Sequence, residues 1–299
     1  MGIKFITDST CDLSAEYLLE NNVRLIPMTY LLDDHEYSDS PFGGENTLSR
    51  KAFYDAMRAG SQPKTTQINE IVFSEAFEEI LESGSDVFYI GFSGGLTGSM
   101  NNARRAADAL MEKYPQRKVF IVDSVSASMG EGLLVMMGVD ALKKGLSGEE
   151  IRALLETERT AIQHWFTVED LVYLKRGGRI SSATAVVGTM LNIKPMLTID
   201  DEGHLVPLEK SKGRKKAIHA MMDRVASVVG ENDPGDFYLV HSDADEADIE
   251  LLRAAMVKRF GRDVVSISNM TPVIGAHTGP GLLALVHYAP GGQRPGQYA

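Results

Sequence analysis

The hydrophobic positions of this chain change period along its length, and the first half alternates between two patterns. Short apolar runs rich in β-branched and aromatic residues, Ile3–Thr7, Arg24–Leu32, Val87–Phe92 and Val119–Asp123, predict strands. Ser14–Asn21, Ile71–Leu81 and Asn101–Tyr114 predict helices; Phe73, Phe77, Ile80 and Leu81 form the stripe of the second. A further helix runs through Leu133, Met137 and Leu142 to a stop at Gly145. Ser147 with Glu150 makes a capping box that opens another, reaching about Thr160. Strands alternating with helices predict a mainly parallel sheet covered on both faces. Ligands of such sheets sit at the carboxyl ends of the strands. That edge collects Asp8-Ser9-Thr10, Ser93-Gly94-Gly95 and Asp123-Ser124.

Beyond residue 160 the rhythm changes. Ile193–Ile199 and His204–Glu209 alternate like a hairpin around Asp201-Glu202-Gly203. Gly213–Val228 and Ala247–Phe260 predict helices, and Phe237–His241, Val264–Ser268 and Leu282–Tyr288 predict strands. The expected architecture is α/β: an N-terminal, mainly parallel-sheet domain over 1–160 and an α+β domain over 161–288. The segment 289–299 is Pro/Gly-rich and expected to fray. No internal repeat is present.

Composition narrows the function classes. A formal net charge of −11 argues against nucleic acid or an anionic membrane as the main partner. One cysteine, Cys11, excludes an internal disulfide and a cysteine-based zinc site. No signal peptide and no apolar stretch long enough to span a bilayer is visible, so a soluble cytoplasmic protein is expected. No P-loop, no strict dinucleotide fingerprint and no metal-ligand spacing is found.

Four places carry candidate chemistry. Gly91-Phe92-Ser93-Gly94-Gly95 fits the nucleophile-elbow pattern, and the order Ser93, Asp243, His277 matches that of α/β-hydrolase triads. The same Gly-rich loop, with Thr97 and Ser99 just beyond, also suits an anion cradle, or a plain strand-to-helix turn. Thr65 and Thr66 precede a helix, where Thr serves as an N-cap or as a carboxylate donor. Gly275-Ala276-His277-Thr278-Gly279-Pro280-Gly281 frames one histidine in residues that constrain the backbone, which points to a ligand contact. Lys175-Arg176-Gly177-Gly178-Arg179 and Lys210 to Lys216 are basic runs in an acidic chain. They read equally as solvated element ends, the first capped by Gly177, or as a positive rim for a carboxylate or an acidic partner.

Taken in order, TDSTCDL, KTTQ, SGGLTGS, IVDSVSASMGEG, DLVYLKRGGRIS with LNIKP, DEGHL with its basic run, and GAHTGPG resemble the DegV family of bacterial fatty-acid-binding proteins, from about Lys4 to Tyr288. The resemblance implies a carrier without catalysis of its own, needing no metal or cofactor. A long-chain fatty acid such as palmitate, stearate or oleate would be buried between two domains. It implies that Thr65, Ser93 and His277 hold the carboxylate, with Thr66, Gly94, Gly95, Thr278 and Arg179 as further contacts. It also implies a fatty acid kinase as the partner that turns the bound acid into an acyl phosphate. The chain departs from the family pattern at Gly94 for a second Ser, Thr66 for Ser, Ile68 for Pro and Met100 for Tyr. A serine hydrolase using Ser93 and His277 is the alternative. Met190 and Met196 are either plain core or the lining of an adaptable apolar slot.

Overall fold

In the computed structural model, residues 2–181, 192–229, 235–291 and 294 are described. Met190 and most of the tail, 292, 293 and 295–299, lie outside them. The first half builds a four-stranded parallel sheet in the order β2-β1-β6-β7, from Ile3–Asp8 (β1), Arg24–Ile26 (β2), Asp86–Gly91 (β6) and Val119–Asp123 (β7). The period-2 alternation of β6 decides how it is covered. Val87 and Tyr89 pack under α3 (Glu70–Glu82) and α4 (Ser99–Lys113). Phe88 and Ile90 pack under α5 (Met129–Lys143) and α6 (Gly148–Glu158). The Ser147–Glu150 capping box forms at the start of α6.

The run Arg24–Leu32 is not one strand. Pro27 has no N–H to donate and breaks it. Its second piece, β3 (Met28–Leu32), joins a separate three-stranded antiparallel sheet with β4 (His35–Asp39) and β5 (Lys64–Thr65). That small sheet, with α2 (Arg50–Arg58), places Thr65 beside the rest of the site.

The second half forms a six-stranded mixed sheet in the order β10-β9-β8-β13-β11-β12. Its strands are β8 (Ile162–Thr167), β9 (Ile193–Ile199), β10 (Leu205–Lys212), β11 (Phe237–His241), β12 (Ser266–Asn269) and β13 (Leu283–Tyr288). One face, with Trp165, Leu283 and Leu285, packs on α8 (Arg214–Val229) and α9 (Glu246–Phe260). The other, with Phe166, Ala284 and Val286, shares one apolar cluster with Phe88, Ile90 and α5 of the first half. The chain is thus an α/β protein with a parallel-sheet N-terminal part and an α+β C-terminal part. Met196 faces α8 and lies among Ile218 and Met221 in the cluster behind the sheet, away from the cavity described below. No helix among the described residues is long and apolar enough to cross a membrane.

Candidate functional site

An apolar cavity lies inside the cluster shared by the two halves. Its walls include Phe92 and Leu96 from the first half and Phe166, Leu174, Ile274 and Ala284 from the second. Its volume, about 70 Å³, exceeds the space one water needs, and its walls expose almost no polar atoms that would hold water. Such a space favours an apolar guest. A second, polar cavity adjoins it, lined by Thr65, Thr66, Gln67, Thr97 and Gly98. The two share Phe92, Arg179 and His277, so these residues stand where apolar slot meets polar mouth. Thr66, Gln67 and Gly98 are exposed, which puts the mouth at the surface.

His277 is carried on a short helix, α10 (Pro272–Thr278), where the sequence suggested a constrained loop; the irregular backbone starts only at Gly279. Two carboxylates of the first half fix the N-terminus of α10. Asp12 accepts from Thr271 N at 2.9 Å and Asp39 accepts from Val273 N at 3.1 Å, satisfying donors that a helix start leaves free. Burial pushes the Asp39 carboxyl up to about 7. The native protein therefore keeps this proton between about pH 4 and 7, where the unfolded chain has released it. The contribution favours folding at the acid end of that window and is lost as pH rises through 7. Asp39→Asn keeps an acceptor for Val273 and removes the buried charge. It should raise the urea midpoint at pH 8 while leaving it nearly unchanged at pH 5; an equal shift at both values would refute the assignment.

Thr65 Oγ1 and His277 Nε2 lie 2.8 Å apart, and His277 Nδ1 has no hydrogen-bond partner among the described residues. Burial, and then the charge of Arg179, hold His277 down at about 4, so its ring is neutral at pH 7. Arg179 follows α7 (Val172–Arg176) and donates to the Leu96 carbonyl from Nε at 3.3 Å and from Nη2 at 3.1 Å. It has no carboxylate partner among the described residues, and burial lowers its pKa. A half-buried guanidinium without a counter-ion, beside an apolar cavity, is a strong point of attraction for an anion. The Arg214 of the other basic run is committed elsewhere, to Glu169 and Asp248.

The structure gives Ser93 a different set of partners. It is fully buried, donates Oγ to the Gly203 carbonyl at 2.9 Å and accepts from Gly95 N at 3.1 Å. Gly94 N donates to the Asp123 carboxylate at 3.1 Å. Ser93, Gly94 and Gly95 are therefore not among the residues lining either cavity. Their loop instead receives the β9–β10 turn of the second half. Gly203, at φ +83°, makes that approach possible, because a Cβ there would stand 2.0 Å from Ser93 Oγ. A hydrolase triad is not assembled either: Ser93 is bonded to a carbonyl, His277 to Thr65, and Asp243 to Arg58. Thr66 lines the mouth, while its Oγ1 lies 2.6 Å from that of Thr29. Thr278 lines the slot and donates to the Ile274 carbonyl. Gln67, Leu96 and Leu174 join the walls without having been singled out from sequence. Gln67, Leu96 and Leu174 lie within the KTTQ, SGGLTGS and DLVYLKRGGRIS motifs, but the leucine positions read as ordinary core.

An apolar slot between the two halves, opening at a mouth that holds Arg179, has the shape and charge that suit an amphiphilic anion. The chain belongs to the DegV family: the family model described as "Uncharacterised protein, DegV family" matches residues 2–289. A DegV domain-containing protein of Clostridium perfringens is 37% identical over 284 residues, covering 94% of this chain and 96% of that one. Among solved structures, a DegV family protein from Thermus thermophilus described for its fatty acid binding matches with a TM-score of 0.85 and 31% identity, over 97% of this chain and 100% of that chain. DegV from Bacillus subtilis, described as a fatty acid binding protein, matches with a TM-score of 0.81 and 28% identity, over 96% and 98%.

Proposed function

We propose that this protein binds a long-chain fatty acid, tail in the apolar slot and carboxylate at the mouth, and presents it in the cytoplasm to a fatty acid kinase. The observation that carries the reading is Arg179, a guanidinium with no carboxylate partner among the described residues, placed with His277 and Thr65 where the apolar cavity opens. The fatty acid binding of the Thermus thermophilus and Bacillus subtilis relatives supports it. At about 0.8 kcal/mol per buried methylene, a chain of roughly sixteen carbons contributes on the order of 10 kcal/mol before ordering costs. The tail supplies affinity, and Arg179, Thr65 and His277 supply orientation. Ser93 contributes by holding the hairpin turn against the first half. A carboxylate at an exposed mouth is reachable by an enzyme that phosphorylates it, so the carrier itself needs no nucleophile.

Extraction and native mass spectrometry of the purified protein should recover one long-chain fatty acid per chain. A protein that carries none and takes up neither palmitate nor oleate would sink the proposal. Thr65→Ala and His277→Ala should each weaken palmitate binding about tenfold or more, the worth of a hydrogen bond to a charged group, while binding of hexadecanol changes little. Both should impair kinase-dependent phosphorylation more than retention of the tail; equal losses for acid and alcohol would place the carboxylate elsewhere.

A further inference from the structure

The contact between Thr65 and His277 joins the two halves, so the helix that carries His277 has to be held in register with the first half. The C-terminal end of α10 is tied within its own half. Ser242 donates to the Gly279 carbonyl at 2.6 Å, and its own carbonyl accepts from Gly281 N at 2.7 Å. The first half takes hold at the other end. Thr271, the N-cap residue, makes no side-chain capping bond of its own among the described residues. Tyr54 donates to Met270 O at 3.0 Å, and Asp12 and Asp39 accept from Thr271 N and Val273 N.

Asp12 differs from the other two anchors in what its second oxygen holds. Ser128, just ahead of α5, donates Oγ to Asp12 Oδ2 and lines the slot, as do Met270 and Ile274 on either side of Thr271. Ser128 has φ +56° and ψ −140°, a backbone conformation that a residue with a side chain keeps only where its surroundings impose it. Arg50 stands 3.8 Å from Asp12 and donates to Asn269 O, which backs the carboxylate with positive charge. One buried carboxylate thus pins a strained piece of the slot wall and the start of the His277 helix. From Thr271 to His277 the helix runs about 9 Å at 1.5 Å per residue. A tilt of about ten degrees at its start would move His277 by roughly 1.5 Å. That is enough to break its 2.8 Å contact with Thr65.

We propose that Asp12 is the positioning residue of the head-group site: through Thr271 it sets His277 against Thr65, and through Ser128 it links that setting to the slot wall. The inference rests on the fatty-acid reading above. Its test is the preference of the purified, delipidated protein for palmitate over hexadecanol, each measured by displacement of a fluorescent fatty acid. Taking the ratio within one variant cancels any general loss of stability. Asp12→Leu, close in shape but without acceptors, should lower the preference about tenfold, as His277→Ala does. Asp12→Asn keeps an acceptor for Thr271 and should stay within about threefold of the wild type. Thr271→Pro deletes the same bond from the other side, at a φ of −62° that proline adopts. It should act like Asp12→Leu, whether or not that variant folds. In a His277→Ala background, Asp12→Leu should change the preference no further. An unchanged preference in folded Asp12→Leu or in Thr271→Pro, or an equal fall with and without His277, overturns the positioning role and leaves fatty-acid binding intact. If the wild type binds neither ligand, the fatty-acid reading falls and takes this inference with it.

Discussion

Replacing Ala284 by Phe should abolish tight binding of palmitate. Ala284 lies in the middle of β13, between Phe166 and Val240 on the neighbouring strands, and its side chain forms part of the slot wall. A ring there would fill space that three or four methylenes of a tail need. At about 0.8 kcal/mol each this is a loss of roughly 3 kcal/mol, or about a hundredfold in Kd. The mouth, with Arg179, Thr65 and His277, is untouched by the change. Isothermal titration with palmitate reads the effect directly, and a thermal midpoint close to that of the wild type shows that the ring was accommodated. An unchanged Kd would mean that the tail runs elsewhere.

The second large effect is on stability, at Arg294. This side chain is 3% exposed and ties together pieces from both halves. Nε donates to Ile162 O at 2.9 Å, Nη1 to Asp200 O at 2.9 Å and to Val125 O, and Nη2 to Ser126 Oγ and Arg159 O, both at 2.8 Å. Burial brings its pKa down to about 10, with Asp201 and Asp200 opposing, so it remains charged at neutral pH. Truncation to Ala would leave four buried carbonyls without this donor, a loss on the order of 3–5 kcal/mol. Urea unfolding of Arg294→Ala should show an unfolding free energy lower by that amount, with the midpoint shifted down accordingly. A shift below about 1 kcal/mol, the size expected of an exposed arginine, would remove the anchoring role.

The elements that the sequence makes legible are those whose pattern is local. β6 and β7 are apolar runs, and α3 repeats its aromatic and aliphatic residues at helical spacing. β8 escapes the same reading because Gln163, His164 and Thr167 interrupt its apolar residues, yet all six of its side chains are buried. β4 (HEYSD) is a largely polar strand of a small sheet, and α10 (PVIGAHT) has the composition of a loop. The KTTQ and GAHTGPG motifs pointed to Thr65 and His277, and the fold brings these two side chains into contact. Ser93 could not be placed in the same way. Its partner is a carbonyl 110 residues further on, in a turn whose arrival no local pattern announces.

The division of the site between the two halves has an evolutionary consequence. The mouth draws Thr65, Thr66, Gln67, Thr97 and Gly98 from the first half, whereas most of the slot wall comes from segments after Ile162. Because Arg179 and His277 of the mouth also come from the second half, preference for a headgroup depends on both halves, whereas preference for a chain rests mainly on the second. A chimera joining the first half of one member to the second half of another should inherit its chain selectivity from the second parent.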